Sequence, residues 1–232
     1  VPRRCRDVHP SRFLEVETLT TTLDLDDEKS LVIDNKKNFG LAKALNHGIS
    51  LAQQKAFKLA AFFDQDSLIP DNFNKKMLSN IKLFNKKEPH LNVATYGSQF
   101  VNKKTNQQSE VINVGILRFI TKNTSLHSFY DFPSWVITSG SYIPLKVFDS
   151  LDNFDENLFI DYIDIEWCLR AHKCGYLSVL FNDINFRHDL GEGYIHLFGR
   201  YLYLHSPLRT YYASRNSVYL FSLKHVSFNF FV

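Results

Sequence analysis

A short apolar run that ends in two carboxylates is the feature that most constrains how this chain can fold. Residues 59–63 read Leu-Ala-Ala-Phe-Phe, and Asp64, Gln65 and Asp66 follow directly. A run this apolar predicts a strand with both faces buried, as in sheets that are covered by helices. Open α/β sheets bind ligands in the crevice beyond the carboxyl ends of their strands. The sequence therefore predicts an α/β fold in which Asp64 and Asp66 reach a ligand-binding edge of the sheet.

Two carboxylates at that edge predict a site for a hard divalent cation. Such a cation takes oxygen ligands and commonly keeps some positions for water or for substrate phosphates. We therefore interpret Asp64 and Asp66 as candidate metal ligands of a diphosphate site. An Asp-x-Asp pair also occurs often by chance, so other segments of the chain have to support this interpretation.

The composition is that of an ordinary globular protein and excludes several classes. Hydrophobic residues make up 44% of the 232 residues and charged residues 22%, so the chain can bury a substantial core. A net charge of +3 is too small to predict a nucleic-acid partner. No apolar run approaches the ~18 residues that a membrane span needs. The three cysteines, Cys5, Cys168 and Cys174, have no paired spacing, which argues against a disulfide framework and a zinc site.

Helical and extended patterns alternate along the chain and predict a mixed sheet flanked by helices. Strands are predicted over residues 31–34, 59–63, 91–97, 98–101, 111–117, 135–138 and 177–181, the fourth and fifth forming a hairpin. Helices are predicted after Gly40, from Pro70, from Pro144, over 161–172 and from Pro207. Asn38 is a candidate cap of the first helix, and Gly40 would let backbone approach a ligand closely. Residues 1–28 show no clear periodicity and are predicted to form an irregular arm.

The helix predicted over residues 161–172 carries a cluster of carboxylates. Asp161 and Asp164 are three residues apart and are expected to share a face at the helix start. Asp164 is either a first-turn carboxylate favoured by the helix dipole or a general base for an acceptor hydroxyl. Glu166 and Arg170 are four residues apart, which predicts a surface ion pair of little energetic value.

Two further segments could bind metal or phosphate. His188 lies between a predicted strand and a Gly-rich turn, where a ring nitrogen could ligate a metal or simply serve the backbone. Residues 205–216 hold Arg209, Tyr211 and Arg215 around a predicted helix start. Arginine forks, tyrosine hydroxyls and a helix N-terminus suit diphosphate oxygens, although arginine stems stacked on rings would also explain this composition.

Taken in order, the segments that carry these residues resemble the family 2 glycosyltransferases, and most closely their bacterial rhamnosyltransferase branch. The matching segments are spread over about residues 31–220, namely 38–42, 46–48, 63–67, 137–141, 154–156, 159–170, 187–191 and 205–216. Ordered agreement over most of a chain is far more specific than any one motif. The resemblance implies the glycosyltransferase A fold, which is a single Rossmann-like α/β domain.

The resemblance also implies an activity and a role for each candidate residue. The activity would be inverting transfer of a sugar, L-rhamnose in the closest branch, from a nucleoside diphosphate such as dTDP-L-rhamnose to a polysaccharide or lipid-linked acceptor. Asp64, Asp66 and His188 would hold Mg²⁺ or Mn²⁺ on the donor diphosphate, and Asp164 would be the catalytic base. The donor and its sugar would be bound by a larger set, Asn38, Gly40, Asp64, Ser139, Gly140, Arg209, Tyr211 and Arg215.

The front of the chain departs from the family pattern. Family members begin with a strand and a helix and then a second strand whose Asp contacts the nucleoside, whereas the start of this chain does not match that order. Asp24, Asp26 and Asp34 are candidates for this contact by proximity alone. We therefore expect residues 29–232 to form the glycosyltransferase A-type domain, truncated at both ends, after an unmatched segment over 1–28.

Three questions are left open by the sequence. An incomplete or degenerate transferase would keep the fold without turnover, and a glycoside hydrolase would use paired carboxylates without a nucleotide. The aromatic, weakly basic segment 219–232 could contact a membrane, or it could be an ordinary core stripe. The expected location is cytoplasmic, with peripheral contact at the inner face of the plasma membrane as the open alternative. No nucleic-acid partner is expected.

Overall fold

The computed structural model describes residues 31, 33, 35, 37–114, 119–122, 128–189, 193–197 and 200–231 of the chain. The arm predicted over residues 1–28 lies outside the described residues. So do all three candidates for nucleoside contact, Asp24, Asp26 and Asp34. Of the strand predicted over residues 31–34, only Leu31 and Ile33 are described, and neither of them is in a strand.

The described part of the chain alternates strands and helices, as predicted. Its strands are β1 (Leu59–Phe62), β2 (Val93–Asn102), β3 (Val111–Val114), β4 (Phe119–Lys122), β5 (Tyr130–Asp131), β6 (Ser141–Pro144), β7 (Leu177–His188), β8 (Gly193–Leu197) and β9 (Arg200–Leu204). Its α-helices are α1 (Leu41–Gln54), α2 (Phe73–Lys87), α3 (Leu145–Leu151), α4 (Ile163–Lys173) and α5 (Pro207–Phe221). Short 3₁₀ turns cover Glu156–Leu158 and Phe228–Phe230.

A five-stranded sheet in the order β1-β6-β2-β7-β5 forms the centre of the fold. β2 and β7 run parallel, whereas the other three pairs of neighbours are antiparallel. Two separate ribbons are formed by β3 with β4 and by β8 with β9. The predicted mixed sheet is therefore confirmed. β1 pairs antiparallel with β6, although its apolar run is more typical of a parallel sheet.

Helices cover both faces of this sheet, which explains why β1 is apolar on both sides. On one face, α1, α3 and α4 pack with Ala60 and Phe62 of β1 in a core that contains Trp167. On the other face, α2 inserts Phe73 and Phe84 among aromatic residues of β2 and β7. The helices predicted after Gly40 and from Pro70 are confirmed, and each buries apolar residues at helical spacing, Leu45, Ile49 and Ala52 in α1 and Phe73, Met77, Ile81 and Phe84 in α2. Because both faces of β1 are covered, Asp64 and Asp66 can reach solvent only beyond the end of the strand.

Residues 135–138 are described but form no strand, so that prediction is wrong. The segment contacts β2 through Val136 without pairing as a strand. Val136 packs on Gly97 so closely that a Cβ at Gly97 would lie 2.8 Å from the valine side chain. The N–H of Thr138 donates to the Asp164 carboxylate at 3.0 Å rather than to a strand. An extended, apolar pattern indicated burial here but could not indicate the partner.

The turn of the hairpin predicted between residues 98–101 and 111–117 is confirmed, but its second strand is wrong. Residues 107–109, and not 111–117, return antiparallel beside the end of β2, where Val101 bridges to Gln108. β2 continues to Asn102, whose Oδ1 accepts hydrogen bonds of 2.9 Å from the N–H groups of Lys104 and Thr105. This local turn redirects the chain. β3 then pairs with β4, and the last three residues of the second predicted strand lie outside the described part.

Helix boundaries follow the predicted ones closely. α5 begins at Pro207, α3 begins at Leu145 directly after Pro144, and α2 begins three residues after Pro70. α4 begins at Ile163 rather than at Asp161, because Asp161 has left-handed backbone with a φ of 63°. α5 ends at Phe221 instead of continuing to the end of the chain. None of the described helices is long and apolar enough to cross a bilayer.

The predicted surface ion pair of α4 is buried, so its expected exposure is wrong. The side chain of Glu166 is 2% exposed and binds Arg170 through two hydrogen bonds of 2.8 and 2.9 Å. His225, from the segment after α5, places Nε2 2.8 Å from Glu166 Oε1. Burial alone would raise the pKa of Glu166, but hydrogen bonds from His225 and Arg170 hold it below its usual range. The segment that covers this pair is remote in sequence, so i,i+4 spacing could not predict the burial.

Candidate active site

Asp64, Asp66 and His188 meet at one edge of the central sheet. The two aspartates follow β1, and His188 is the last residue of β7. His188 Nδ1 lies 3.2 Å from Asp66 Oδ1, and its Nε2 lies 3.7 Å from Asp64 Oδ2. One possible ligand atom from each residue lies within 4.8 Å of the other two. The fold thus brings together all three predicted metal ligands.

This cluster is open towards solvent on the carboxylate side. The side chains of Asp64 and Asp66 are 41% and 42% exposed, whereas that of His188 is 9% exposed and packs edge-on against Phe100. Burial raises the pKa of Asp64, His188 opposes this rise, Asp66 adds to it, and Arg209 opposes it. A cation held by both carboxylates would relieve the repulsion between them.

A chain of hydroxyl groups holds the loop that carries the two carboxylates. The buried Ser139 accepts a 3.1 Å hydrogen bond from the N–H of Asp64 and lies 2.6 Å from the hydroxyl of Ser67. Ser67 Oγ in turn lies 3.2 Å from His188 Nδ1. The backbone of Leu68 bridges to β7, which anchors the end of the same loop. Ser139 therefore links the aspartate loop to His188 through hydrogen bonds. Its predicted contact with the sugar stays a prediction.

The donor set of the cluster suits a divalent cation such as Mg²⁺ or Mn²⁺. Carboxylate oxygens are the ligands such ions prefer, and imidazole suits first-row transition metals. The open carboxylate side would leave positions for water or for phosphate oxygens. Metal ligands are also commonly oriented by a second set of hydrogen bonds, and Ser67 and Ser139 provide such a set here.

Asp164 lies in the first turn of α4, near enough to Asp64 for their charges to interact. Its Oδ2 accepts a 3.0 Å hydrogen bond from the N–H of Thr138, and its Oδ1 accepts one of 2.9 Å from Ile165. Burial raises the pKa of Asp164, these two N–H groups oppose the rise, and the charge of Asp64 adds to it. A half-buried carboxylate with a raised pKa is suited to accept a proton.

Asp161 does not share the face of Asp164, so that prediction is wrong. Asp161 lies before the helix and points to Arg209 of α5, whose Nε and Nη2 lie 2.8–3.1 Å from its two carboxylate oxygens. Arg209 also opposes the rise in the pKa of Asp64, which indicates that its charge acts on the metal cluster. The predicted role of Arg209 at the donor phosphate therefore has to be reconciled with its tight pairing to Asp161.

Gly40 and Asn38 lie at the start of α1 and differ from the predicted arrangement. Gly40 is the N-cap residue with a φ of 89°, and a Cβ there would lie 2.6–2.9 Å from atoms of Phe159. The close approach that Gly40 permits is therefore to Phe159. Asn38 Oδ1 accepts a 3.0 Å hydrogen bond from the N–H of Gly40, so it stabilises the turn before the helix and is not the helix cap. Their predicted contacts with the donor stay predictions.

Gly140 lies between Ser139 and β6, where no larger residue would fit. Its φ of 75° favours glycine, and a Cβ would lie 2.5 Å from the ring of Phe186. Its N–H donates to the carbonyl of Phe62 at 2.8 Å, next to the end of β1. This turn places Ser139 within hydrogen-bonding distance of the aspartate loop. A contact of Gly140 with the sugar stays a prediction.

The other two predicted donor contacts in α5 face different surroundings. Arg215 donates to the carbonyl of Asn157 and stacks 5.0 Å above the ring of Tyr212. Tyr211 is 59% exposed and makes an edge contact with Tyr212. Arg215 is thus stacked on an aromatic ring, which is the alternative to phosphate binding that the composition of this segment also suggested. Tyr211 is accessible to solvent on the surface of the helix.

α5 also holds the segment that leads into α4. Nδ2 of the buried Asn216 lies 2.7–3.0 Å from three carbonyl oxygens, those of Leu158, Ile160 and Asp161. Three residues of this segment have left-handed backbone with φ of 62°, 63° and 64°, namely Phe159, Asp161 and Tyr162. Non-glycine residues in that region are costly and persist only where the surrounding structure holds them. The contacts from α5 therefore fix the approach to Asp164.

Sequence reasoning missed three residues of this region, Ser67, Lys103 and Asn216. Ser67 directly follows Asp66, and a hydroxyl beside a candidate metal pair is a signal that could have found it. Lys103 donates from Nζ to the carbonyl of Asp66. Asn216 acts on a segment far away in the chain. Neither of these last two has a local sequence signal, because both contacts depend on tertiary folding.

The chain matches the family described as Glycosyl transferase family 2 over residues 16–148, more than half of its length. The chain belongs to this family. This glycosyltransferase is 34% identical over 204 residues to the dTDP-rhamnosyl transferase RfbF of Shigella flexneri. That match covers 87% of this chain and 66% of RfbF. The resemblance predicted from the sequence is confirmed, and family membership argues against the glycoside hydrolase alternative.

The glycosyltransferase also resembles a crystal structure described as GalNAc-T7 with UDP, GalNAc and Mn²⁺. The TM-score is 0.56 at 12% identity, and the match covers 78% of this chain and 38% of that one. A likeness at this identity bears on the fold alone, and it agrees with the predicted glycosyltransferase A fold. The chain spans less than two thirds of the length of both relatives. The predicted domain start at residue 29 stays a prediction.

Proposed function

We propose that this family 2 glycosyltransferase moves L-rhamnose from dTDP-L-rhamnose to a polysaccharide or lipid-linked acceptor, with inversion at the sugar carbon. The observation that carries the proposal is the convergence of Asp64, Asp66 and His188 within electrostatic reach of Asp164. A metal site and a basic carboxylate are the parts that such a transfer needs. The likeness to a protein described as a dTDP-rhamnosyl transferase supports the donor.

Asp64, Asp66 and His188 would hold Mg²⁺ or Mn²⁺ on the donor diphosphate. The bound cation would stabilise the charge that develops on the leaving nucleoside diphosphate, which is a contribution of several kcal/mol. Ser139 and Ser67 would keep the ligands in place, because their hydroxyls connect the Asp64 backbone to the His188 ring. The exposed side of the cluster would admit the donor.

Asp164 would act as the general base. The acceptor hydroxyl gives its proton to the Asp164 carboxylate while the acceptor oxygen forms a bond to the anomeric carbon. The bond from that carbon to the diphosphate oxygen breaks, and the diphosphate leaves with the electron pair. One displacement without a protein nucleophile inverts the anomeric carbon. A base placed in this way contributes roughly 10²- to 10⁴-fold in rate.

Release of dTDP tests this proposal. Purified protein with dTDP-L-rhamnose, Mn²⁺ and a saccharide or lipid-linked acceptor should release dTDP, and NMR of the product should give the inverted linkage. Chelation with EDTA should abolish release, and the variant Asp164→Asn should lower its rate by roughly 10²- to 10⁴-fold. The variant Asp149→Asn removes a carboxylate on α3 and should leave turnover unchanged. Full turnover in Asp164→Asn would refute the assigned base, and full turnover in EDTA would refute the metal.

A second candidate function is a degenerate transferase that keeps the fold without turnover. It is favoured by the engagement of Arg209 and Arg215 with protein groups, since the donor phosphates would then lack two expected cations. Calorimetry separates the two candidates. Micromolar binding of dTDP-L-rhamnose in the presence of Mn²⁺ supports the enzyme, whereas no binding at millimolar donor supports the degenerate form.

Contact with a membrane at the cytoplasmic side is a further part of the proposal. The outer face of α5 exposes four large apolar side chains, Leu208, Tyr211, Val218 and Phe221. A helix that is apolar on its outer face as well as its inner face is normally covered. Residues 193–232 contain four Arg or Lys and no Asp or Glu. The positive charge of this segment and the exposed apolar side chains of α5 suit the headgroup region of an anionic membrane.

Vesicle sedimentation tests this contact. The protein should sediment with vesicles that contain phosphatidylglycerol and not with pure phosphatidylcholine. The variant Val218→Glu should lose binding, and Leu83→Glu, which alters an exposed apolar residue of α2, should keep it. A concentration-dependent dimer that dissociates in Val218→Glu, without vesicle binding, would show that a second copy covers this face.

A further inference from the structure

Lys103 connects the two segments that supply the candidate metal ligands. It follows the last residue of β2, and its N–H donates to the carbonyl of His188 at 3.1 Å. Its side chain crosses to the aspartate loop, where Nζ donates to the carbonyl of Asp66. An ammonium group therefore lies beside the metal cluster, although Lys103 is far from both segments in the sequence.

When the donor binds, the cluster carries more negative charge than one divalent cation can balance. Asp64 and Asp66 carry two negative charges, which a divalent cation would balance. The diphosphate of a nucleotide sugar then adds two further negative charges, and a third develops when it leaves. Arg209 is committed to the carboxylate of Asp161, and Arg215 to the carbonyl of Asn157. Neither arginine offers an unengaged fork to the phosphate oxygens.

We infer that Lys103 binds the diphosphate of the nucleotide donor. An ammonium group has three N–H donors, and in the described structure the one hydrogen bond of Lys103 Nζ is to a neutral carbonyl. Two N–H donors of the ammonium group are thus left for phosphate oxygens. A lysine acts on phosphate as a compact point charge, as it does in other phosphate-binding sites. This inference rests on the proposed function, because it assumes a diphosphate donor at the cluster.

A purely structural role for Lys103 makes a different prediction. If the side chain only ties the Asp66 carbonyl to β2, its loss loosens the aspartate loop and weakens metal binding. If it binds the diphosphate, its loss weakens dTDP binding and leaves the metal affinity unchanged. If Lys103 contacts the second phosphate, its loss should weaken the binding of dTDP more than the binding of dTMP. Metal affinity and phosphate number therefore separate the two roles.

The experiment compares Lys103→Met with Lys104→Met, which removes the exposed neighbouring lysine. Binding of Mn²⁺ alone is measured by electron paramagnetic resonance, and binding of dTDP and dTMP in saturating Mn²⁺ by calorimetry. Lys103→Met should weaken dTDP about 10- to 100-fold, as expected for a lost charge-assisted hydrogen bond, and dTMP by less. Mn²⁺ affinity should stay at the wild-type value, Lys103→Arg should restore part of the dTDP affinity, and Lys104→Met should match the wild type.

Three outcomes would overturn the inference. Unchanged dTDP binding in Lys103→Met would remove Lys103 from the donor site and leave the proposed function standing. A parallel loss of Mn²⁺, dTDP and dTMP binding would assign Lys103 the structural role. Wild-type protein that binds Mn²⁺ but no dTDP would overturn the inference and the proposed function together.

Discussion

Asp164 and Glu166 lie two residues apart in α4, yet their surroundings are opposite. Asp164 accepts hydrogen bonds from backbone N–H groups at 3.0 and 2.9 Å, and burial raises its pKa. Glu166 is nearly fully buried between Arg170 and His225, which outweigh the effect of burial and hold its pKa below the usual range. Two residues of one helix thus separate a carboxylate held by backbone N–H groups from one held by the Arg170 and His225 side chains.

This difference indicates how the fold separates catalysis from stability. Burial raises the proton affinity of Asp164 although two N–H groups oppose the rise, and a base requires such an affinity. Hydrogen bonds from His225 and Arg170 lower the proton affinity of Glu166, which instead joins α4 to the segment after α5. Sequence spacing alone had assigned Glu166 to the surface. Exchange of these roles by mutation is therefore the most direct way to test the comparison.

The largest expected effect is on turnover. Asp164→Asn removes the base and should lower the rate of dTDP release by roughly 10²- to 10⁴-fold. Glu166→Gln should keep most of the turnover at temperatures well below its unfolding, because Glu166 faces Arg170 and His225 in the core and not the acceptor side. The measurement is dTDP release by both variants at equal folded concentration. Equal losses of turnover in Asp164→Asn and Glu166→Gln would contradict the assignment of separate catalytic and structural roles to these two carboxylates.

The next effect is on stability. Arg170→Met leaves Glu166 buried with one partner fewer and should cost about 3–5 kcal/mol in the free energy of unfolding. The double variant with Glu166→Gln should recover part of that loss, because no uncompensated charge remains. Chemical denaturation of the two variants gives both values, with Lys173→Met at the exposed end of α4 as the control. A double variant less stable than Arg170→Met would contradict this account of the pair.

A smaller effect is expected at the base of the metal cluster. Ser139→Ala removes the acceptor for the Asp64 N–H and the neighbour of Ser67. Loss of such a second layer of hydrogen bonds typically lowers metal affinity about 10- to 100-fold. Titration with Mn²⁺, followed by electron paramagnetic resonance, measures the change. Ser150→Ala removes another buried hydroxyl, in α3, and should bind Mn²⁺ as the wild type does.

The smallest effect is on the pH dependence of stability. Because the pKa of Asp164 is raised in the folded state, its contribution is fully present below the ordinary value of 3.8. That contribution is lost as pH rises through the folded pKa, at about 1.4 kcal/mol for each pH unit that separates the folded from the unfolded pKa. Glu166 has the opposite sign, and its contribution is lost as pH falls through the lowered pKa. Thermal unfolding of Asp164→Asn between acid and neutral pH should therefore lack a decline that the wild type shows.

Local sequence patterns predicted the elements of the fold better than their pairing. The apolar stripes of α1 and α2 follow helical spacing, and the run before Asp64 is indeed a strand. The extended pattern over residues 135–138 was equally clear, yet its N–H at Thr138 serves Asp164 and not a strand. Periodicity reports which side chains are buried, whereas strand pairing depends on partners that are remote in the chain.

The candidate site shows the same limit. Asp64 and Asp66 were predictable from their place after an apolar strand, and the family resemblance chose between the alternative roles of His188 and Asp164. The hydroxyl chain through Ser139, in contrast, joins residues from separate loops whose contact only folding creates. The partner of Arg209 could not be predicted from the sequence, because a guanidinium suits a carboxylate as well as a phosphate.

Asn216 sets a practical limit on how far the chain can be shortened from its C-terminal end for crystallisation. Its amide group alone reaches three carbonyls of the left-handed segment that precedes α4. A deletion that removes this residue would free those carbonyls, and the segment would relax towards ordinary backbone angles. A protein that ends after β9, and so lacks α5, should therefore have a displaced start of α4. Inhibitors designed on such a structure would be fitted to the wrong position of Asp164.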